Sequence, residues 1–139
     1  MSFLLDTCVL SELARPHPDA RVSDWLDDQD VASLHLSVLT VGEIEKGVAV
    51  LPRGRKKRSL TTWLATLRST YADRLLPIDT AVAAIWGRTT ATAELRGRRL
   101  GVVDGLIAAT AMHHGLMVVT RNVRDFDATG VGLLNPWEG

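Results

Sequence analysis

The sequence predicts an α/β fold with a mainly parallel sheet, and three of its features lead to this prediction. Short apolar runs typical of buried strands alternate along the chain with longer segments of helical periodicity. Proline, glycine and helix-capping residues separate these segments. The chain has 139 residues, 46% apolar and 23% charged, so it is long enough to bury a core and has globular composition. We expect one domain, residues 1–139, with five strands.

The first quarter of the chain holds two predicted strands and two predicted helices. Phe3–Asp6 is a short apolar strand, and the helix Val9–Ala14 that follows it is stopped by Pro16. Asp19–Asp28 has the apolar spacing of an amphipathic helix. The partly alternating segment Val31–Leu36 is predicted to be the second strand.

The middle of the chain is predicted to form a helical pair and a strand. Thr40 opens a helix that runs to Leu51 and stops at Pro52. Arg53–Lys57 is predicted to be a polar basic turn. Ser59–Ala72 carries an apolar stripe at helical spacing and is the second helix of the pair. Leu75–Ile78 is the third predicted strand.

The last part of the chain holds two helices and two strands. Asp79 or Thr80 is expected to cap the helix Ala81–Leu95. The next helix begins at Asp104 and ends at Gly115, a residue type that favours helix termini. Leu116–Thr120 and Gly130–Leu134 are the fourth and fifth predicted strands.

Charge is distributed unevenly along a chain that is neutral overall. Residues 1–52 have a net charge of −6, residues 53–99 of +8 and residues 100–139 of −2. The basic middle contains two clusters, which are Arg53, Arg55, Lys56, Lys57 and Arg58, and then Arg96, Arg98 and Arg99. Such clusters attract polyanions, including nucleic acid. A basic run is also the ordinary composition of a solvated helix face, so charge alone identifies no partner.

Two classes of protein are not expected from this sequence, those secreted through a cleaved signal and those that span a membrane. Cys8 is the single cysteine, so no internal disulfide forms, as is usual in a reducing compartment. The longest purely apolar run, Ala81–Trp86, is far shorter than the roughly 20 residues of a membrane helix. No signal peptide is expected at the N-terminus. We therefore expect a cytoplasmic protein without a membrane span.

Three acidic residues lie in apolar surroundings. Asp6 follows an apolar strand, Asp104 lies between valines and an apolar helix, and Glu43 lies in a mostly apolar helix start. A carboxylate in such surroundings is costly unless it is paired, hydrogen-bonded or metal-bound. Each has an alternative structural role, since Asp6 and Asp104 are candidate N-caps and Glu43 is a candidate capping-box partner of Thr40.

The predicted topology brings part of this acidic set together. Ligands of parallel sheets bind beyond the carboxyl ends of the strands, where Asp6 and the segment after Thr120 both lie. Clustered carboxylates repel one another and favour a hard cation, Mg²⁺ or Mn²⁺, over zinc. A carboxylate-held Mg²⁺ beside a basic segment suggests phosphodiester hydrolysis of nucleic acid.

The same stretches resemble a known family, the PIN-domain ribonucleases, and within it the VapC-type toxins of type II toxin–antitoxin modules, most closely the FitB-like branch. The resemblance spans nearly the whole chain and lies in Leu4–Glu12, Leu36–Ile44 with Gly47-Val48, Leu76–Asp79, Asp104–Ala111, Val119–Asn122 with Asp125-Phe126, and Asn135–Trp137. It implies a three-layer α/β/α fold whose five-stranded sheet carries the active site at its carboxyl edge.

The resemblance also implies the site residues. Asp6, Glu43 and Asp104 match the three central acids of the family and would ligate Mg²⁺. Members often have an acid at the position of Asn122, which here is an amide that coordinates only weakly or through water. Asp125 either replaces that acid or only caps a turn. The absence of an acid at position 122 favours one tightly bound metal over two. The supporting residues are Thr7, Thr120 and Asn122.

By resemblance, the chain is a metal-dependent endoribonuclease with a cognate antitoxin, whose tail crosses the active-site groove. It is expected to form a homodimer or a toxin–antitoxin hetero-oligomer and to meet DNA only through the antitoxin. The two basic clusters, from Arg53 to Arg58 and from Arg96 to Arg99, would hold the RNA backbone. That last role follows from charge and not from a matched motif.

Two other classes of function remain open at this point. One is a catalytically weakened PIN-like binding module that acts through its antitoxin and DNA-bound complex. The other is a receiver-like phosphoryl-transfer domain, which requires a lysine after a later strand, where this sequence has Arg121-Asn122.

Overall fold

Five short strands form an all-parallel sheet in the order β3-β2-β1-β4-β5. The structure is a computed structural model and describes residues 1–138. The strands are β1 (Phe3–Leu5), β2 (Leu34–Ser37), β3 (Leu75–Leu76), β4 (Met117–Val119) and β5 (Leu133–Leu134). The helices are α1 (Thr7–Leu13), α2 (Ala20–Asp27), α3 (Val38–Ala49), α4 (Arg55–Thr70), α5 (Thr80–Leu95), α6 (Val102–His114) and α7 (Val123–Phe126). The predicted α/β class and parallel sheet are confirmed.

The central strand β1 is where the strand order changes direction. It pairs with β2 on one side and with β4 on the other, both in parallel. In a sheet of this kind the crevice for a ligand lies outside the carboxyl ends of the strands at this point. The chain leaves β1 at Asp6 and leaves β4 at Thr120, so the topology places these two residues at the crevice.

The sheet lies between two layers of helices because alternate strand side chains face opposite sides. Leu5 and Val119 pack into one buried cluster with apolar residues of α1 to α4. Leu4 and Val118 pack into a second cluster with residues of α6 and α7. Burial on both faces explains why the central strands β1 and β4 are continuous apolar runs.

Several predicted boundaries are wrong, and capping side chains explain the first two differences. Val31–Ser33 forms a short 3₁₀ turn and not a strand, because the Asp30 side chain accepts a hydrogen bond from the Ala32 amide. Helix α3 begins at Val38, capped by Ser37 Oγ, so Thr40 is buried inside the helix and is not its cap. The proposed capping box between Thr40 and Glu43 is therefore absent.

The other differences involve α4 and α6. The predicted basic turn is largely helix, since α4 begins at Arg55 and not at Ser59. Gly101, and not Asp104, is the N-cap of α6, so Asp104 lies in the first turn of the helix with its carboxylate free of capping. The predicted caps at Asp79 and Gly115 are confirmed, the latter in the left-handed conformation.

Helices α5 and α6 pack closely against each other. A Cβ atom at Gly105 would lie 3.0 Å from Cδ1 of Trp86, so only glycine allows this approach of the indole to α6. Because Gly105 directly follows Asp104, the close packing fixes the start of α6 where the acid is carried.

Within residues 1–138, no helix combines the length and hydropathy that crossing a bilayer requires. The longest, α4 and α5, have 16 residues each. The interpretation of residues 1–139 as one domain stays a prediction.

Candidate active site

The junction between β1 and α1 holds Asp6 in a fixed position. The Asp6 amide donates to the Val119 carbonyl at 3.0 Å, which ties the end of β1 to the end of β4. One carboxylate oxygen, Oδ1, accepts from the Thr7 amide at 2.9 Å, and the other, Oδ2, accepts from the Thr120 hydroxyl at 2.8 Å. Asp6 is therefore both the predicted N-cap of α1 and a buried acid at the crevice.

Thr120 is a buried hydroxyl that connects three parts of this edge. Its amide donates to the carbonyl of Leu134 in β5, and its Oγ1 accepts from the Asn122 amide at 3.0 Å while donating to Asp6. A hydroxyl that both accepts and donates cannot rotate freely. The predicted supporting role of Thr120 toward Asp6 thus has a specific geometry.

Glu43 reaches the site from α3. It lies on the exposed side of the helix, and its Oε1 accepts a hydrogen bond from the Thr7 hydroxyl at 2.6 Å. The same Thr7 hydroxyl lies 3.4 Å from that of Thr40. Since Thr7 directly follows Asp6, one short segment orients two of the predicted acids.

Asp104 lies in the first turn of α6 and is half-buried. Burial raises the pKa of this carboxyl to about 6, and the charges of Asp6, Asp125 and Glu43 add to the rise, in that order. Hydrogen bonding does not offset these effects. The four acids thus interact electrostatically at one edge of the sheet.

Burial also raises the pKa of Asp6, and the charge of Glu43 contributes in the same direction. The hydrogen bonds from Thr120 and the Thr7 amide oppose this rise without cancelling it. Removing water from a carboxylate disfavours its ionised form. A bound cation would stabilise the ionised form and so lower the pKa again.

The two candidates for the fourth acidic position lie in different surroundings. Asn122 precedes α7, its side chain makes no capping hydrogen bond, and it is exposed. Asp125 lies inside α7, where its charge contributes to the raised pKa of Asp104. Asp125 therefore belongs to the electrostatic environment of the site.

The donor set fits a hard divalent cation in its chemistry. It consists of carboxylate oxygens whose mutual repulsion a cation would relieve. Within residues 1–138, however, no group of three acidic, histidine or cysteine side chains is placed to hold a metal ion as it stands. The charges of the acids influence one another, but their side chains do not form a complete set of metal ligands.

The predicted basic clusters lie in two different environments. Arg96 and Arg98 line a cavity of about 340 Å³ between α5 and the turn that follows α7, together with Thr89, Thr92 and Asp127. Arg98 forms an ion pair with Asp127, and Arg99 is exposed. This cavity adjoins α7, the helix that carries Asp125.

The first cluster, Arg53 to Arg58, surrounds the start of α4. Lys57 donates to the carbonyls of Ala49 and Leu51 at 3.2 Å and so closes the end of α3. Lys56 lines a groove of about 680 Å³ between α1, α3 and α4, which we call the α1–α3–α4 groove. Its apolar lining includes Ile44, Val48, Leu51, Leu60 and Trp63, and Thr7 and Glu43 also line it.

Sequence reasoning missed two residues that contact this edge. The thiol of Cys8 lies 3.7 Å from Asp6 Oδ2 and 3.5 Å from Thr120 Oγ1, and burial raises its pKa, so it remains a thiol. The amide of Arg121 donates to that sulfur at 3.5 Å. Their positions in the sequence could have revealed them, because Cys8 lies two residues after Asp6 and Arg121 directly follows Thr120.

Comparison with known proteins identifies the family. Residues 3–131 match the family model of the PIN domain. The chain is 43% identical over 135 residues to Toxin FitB of Neisseria gonorrhoeae, which covers 96% of this chain and 97% of the relative. It is 39% identical over 136 residues to VapC ribonuclease Y4jK of Sinorhizobium fredii, with 97% of each chain covered.

A solved structure agrees with these relatives. The structure of FitAB bound to an IR36 DNA fragment superimposes with a TM-score of 0.92 at 41% identity, covering 97% of this chain and 95% of that one. Both the three-layer architecture and the resemblance seen in the sequence are confirmed. The chain belongs to the PIN-domain family, in the group that contains the FitB toxin and the VapC ribonucleases.

Proposed function

We propose that the chain is a metal-dependent endoribonuclease and the toxin of a type II toxin–antitoxin module. The observation that carries this proposal is the convergence of acids at the carboxyl edge of the sheet: Asp6 is held by Thr7 and Thr120, Glu43 is bonded to Thr7, and their charges reach Asp104. Mutual repulsion of this kind is typical of sites that function with a bound cation or a shared proton. The similarity to VapC ribonuclease Y4jK supports RNA as the substrate.

Asp6, Asp104 and Glu43 would hold the metal, and Asp125 would complete the acidic environment. Mg²⁺ is the expected ion, with Mn²⁺ as a substitute, because every donor is a carboxylate oxygen. When bound, such an ion supplies positive charge to the phosphate and lowers the pKa of water.

The protein's own contribution is to hold these oxygens in place. Thr120 fixes one oxygen of Asp6, and the Thr7 amide fixes the other. The Thr7 hydroxyl positions Glu43. Asp104 exchanges a proton near pH 6, so it is available as an ionised ligand at neutral pH. Asp6 and Glu43 are thus oriented before a cation binds, whereas the carboxylate of Asp104 would be drawn in by the cation.

The RNA backbone is proposed to pass over the cavity lined by Arg96 and Arg98. Phosphate contacts of this kind position a substrate without reading its sequence. Arg98 is already paired with Asp127, so Arg96 carries the unpaired charge of that cavity. Arg99 contributes to the field around it. The cluster from Arg53 to Arg58 borders the α1–α3–α4 groove and is proposed to contact RNA only outside the acidic centre.

The proposed partner is a cognate antitoxin, whose tail would occupy the α1–α3–α4 groove. The apolar lining supports an apolar segment, and Glu43 supports a basic residue within it, placed away from Arg15 and Lys56, which also line the groove. FitAB was solved on a DNA fragment, which supports indirect DNA contact through the antitoxin. A homodimer or hetero-oligomer and a cytoplasmic location complete the proposal.

The test is cleavage of total cellular RNA by the purified chain, free of antitoxin, in Mg²⁺ or Mn²⁺. The controls are the Asp6→Asn variant and chelation by EDTA, with folding of both proteins checked by circular dichroism. Sequencing of RNA 5′ ends would map the sites. Discrete new ends that disappear in the variant and with EDTA are the expected result.

Equal RNA patterns from the folded wild type and the variant would refute the ribonuclease proposal. A catalytically weakened PIN-like binding module would then be the better account. That alternative predicts that the chain still binds its antitoxin and that the complex still binds operator DNA, as assayed by mobility shift.

A further inference from the structure

Arg121 occupies a position at the acidic edge that the proposed mechanism does not use. It directly follows Thr120, whose hydroxyl holds Asp6, and its side chain is exposed. Its backbone amide is bonded to the sulfur of Cys8, which itself lies 3.7 Å from Asp6 Oδ2. The backbone of Arg121 is therefore fixed at the rim of the acidic centre.

The C-terminal segment holds the side chain of Arg121. Its guanidinium carbon lies 5.4 Å from the centre of the Trp137 ring, within the range of a cation–π contact. Trp137 is only 4% exposed, and its amide is bonded to Asn135 Oδ1 at 2.9 Å. A buried ring cannot follow the arginine, so it acts as a rigid platform that orients the cation. This contact gives a role to the C-terminal Asn135–Trp137 segment.

The charge of Arg121 remains available to a ligand. Asp19 is the nearby carboxylate, and hydrogen bonds from Arg21, with a smaller effect of the Arg121 charge, lower the pKa of Asp19 to about 2. Both oxygens of Asp19 are bonded by the Arg21 guanidinium, at 3.1 and 2.8 Å. In the described part of the chain, no carboxylate forms a salt bridge with Arg121.

We propose that Arg121, oriented by Trp137, binds an RNA phosphate that flanks the bond to be cleaved. This inference rests on the proposed ribonuclease function. A group of four acids repels a polyanion. The backbone of Arg121 lies at the rim of this group, whereas its guanidinium lies over Trp137 and its charge acts on Asp19. The cation therefore offers a phosphate contact beside the acids and not among them. Arg121 is thus a substrate-binding residue, and Trp137 is its positioning residue.

The test measures RNA binding and cleavage separately. Binding of a labelled RNA that contains the mapped site is measured in the Asp6→Asn background, and KM and kcat are measured in the active chain. Arg121→Ala is compared with Arg68→Ala, which removes an exposed arginine from α4. We expect Arg121→Ala to raise Kd and KM about tenfold, with kcat within about twofold of wild type.

Salt dependence provides a readout that a structural role would not change. Loss of one phosphate contact to a single strand lowers the slope of log K against log salt by about 0.7. Arg121→Ala should show this decrease and Arg68→Ala should not. Unchanged Kd and slope in Arg121→Ala, or a change confined to Tm, would overturn the inference.

Two variants test the role of the ring. Trp137→Phe keeps an aromatic face and Trp137→Leu removes it, and both are expected to lower Tm because the residue is buried. Only Trp137→Leu should weaken RNA binding and reduce the salt slope. Equal RNA binding by both variants would show that Trp137 does not position Arg121.

The two levels of proposal fail in different ways. A wild type that cleaves RNA while Arg121→Ala binds and cleaves it equally well refutes only the role of Arg121. A folded wild type that neither binds nor cleaves RNA refutes the ribonuclease proposal and this inference together.

Discussion

The two halves of the acidic edge are built differently. At the junction of β1 and β4, Asp6 has both carboxylate oxygens bonded, by the Thr7 amide and the Thr120 hydroxyl. At the start of α6, the pKa of Asp104 is shaped by burial and by three like charges, with no opposing hydrogen bond. Hydrogen bonds fix the carboxylate of Asp6, whereas Asp104 is positioned only by its place in the first turn of α6.

The difference suggests how the site divides its work. Orientation is supplied by the strand ends, where backbone and hydroxyl partners are fixed by the sheet. Under the proposed function, the repulsion that a cation would relieve is concentrated at Asp104. We therefore propose that the rigid half, at Asp6, defines the position of a cation and that the repulsive half, at Asp104, completes the site only when the cation binds.

The largest effect is expected from disrupting the rigid half. Thr120→Val keeps the shape of the side chain and removes the hydroxyl that holds Asp6, so a buried carboxylate oxygen loses its partner. We expect metal affinity and cleavage to fall about 10- to 100-fold. Isothermal titration with Mn²⁺ and the RNA assay measure the two quantities.

Thr120→Ser is the matched control, because it retains the hydroxyl. It should recover most of the lost affinity. If the valine and serine variants behave alike, the hydroxyl does not orient Asp6 and the rigid half is an incorrect description.

The repulsive half should show itself in the pH dependence of metal binding. With the pKa of Asp104 at about 6, protons compete with the metal below that pH. Affinity should fall about tenfold per pH unit below 6 and level off above 7. Titration with Mn²⁺ from pH 5 to pH 7.5 measures this, and Asp104→Asn should remove the dependence due to this residue.

The same pKa sets the sign of a stability effect in the metal-free chain. Because the pKa of Asp104 in the folded chain lies above the ordinary value of an aspartate, about 3.8, ionised Asp104 destabilises the fold above pH 6. That penalty disappears as the pH falls from 6 toward 4. The Tm of wild type relative to Asp104→Asn should therefore rise on acidification, and a fall would contradict the account.

A smaller effect is expected at the fourth acidic position. Asp125→Asn removes an exposed charge that helps raise the pKa of Asp104. We expect the NMR-detected pKa of Asp104 to decrease and cleavage to fall about twofold to fivefold, as for exposed charge pairs. Asn122→Ala should change cleavage less, and the reverse order would identify Asn122 as the more important residue.

Much of the acidic edge of the sheet could be predicted, because its residues are placed by short strands and by the order in which the strands pair. Apolar runs identified the strands, and the rule for parallel sheets placed Asp6 beside the segment after Thr120. The role of Thr7 as the link to Glu43 required the three-dimensional structure, because these residues come from α1 and α3.

The incorrect expectations also have physical causes. Ser37 and Thr40 are both good caps, and only the length of β2 decides which one ends the strand. Arg121 and Trp137 meet because the C-terminal segment packs beside β4, which no periodicity in the sequence reveals. Local sequence patterns do not predict contacts that depend on where the C-terminal segment packs.

The most direct test of the central claim is a metal-rescue experiment at the mapped cleavage site. A phosphorothioate replaces each non-bridging oxygen of the scissile phosphate in turn, and cleavage is compared in Mg²⁺ and in Mn²⁺. Sulfur is a soft ligand that Mg²⁺ binds poorly and Mn²⁺ accepts better. We expect one isomer to be cleaved slowly in Mg²⁺ and to recover in Mn²⁺, which would show a metal on the phosphate. Rates that are unaffected by sulfur, or that are equally slow in both ions, would contradict it.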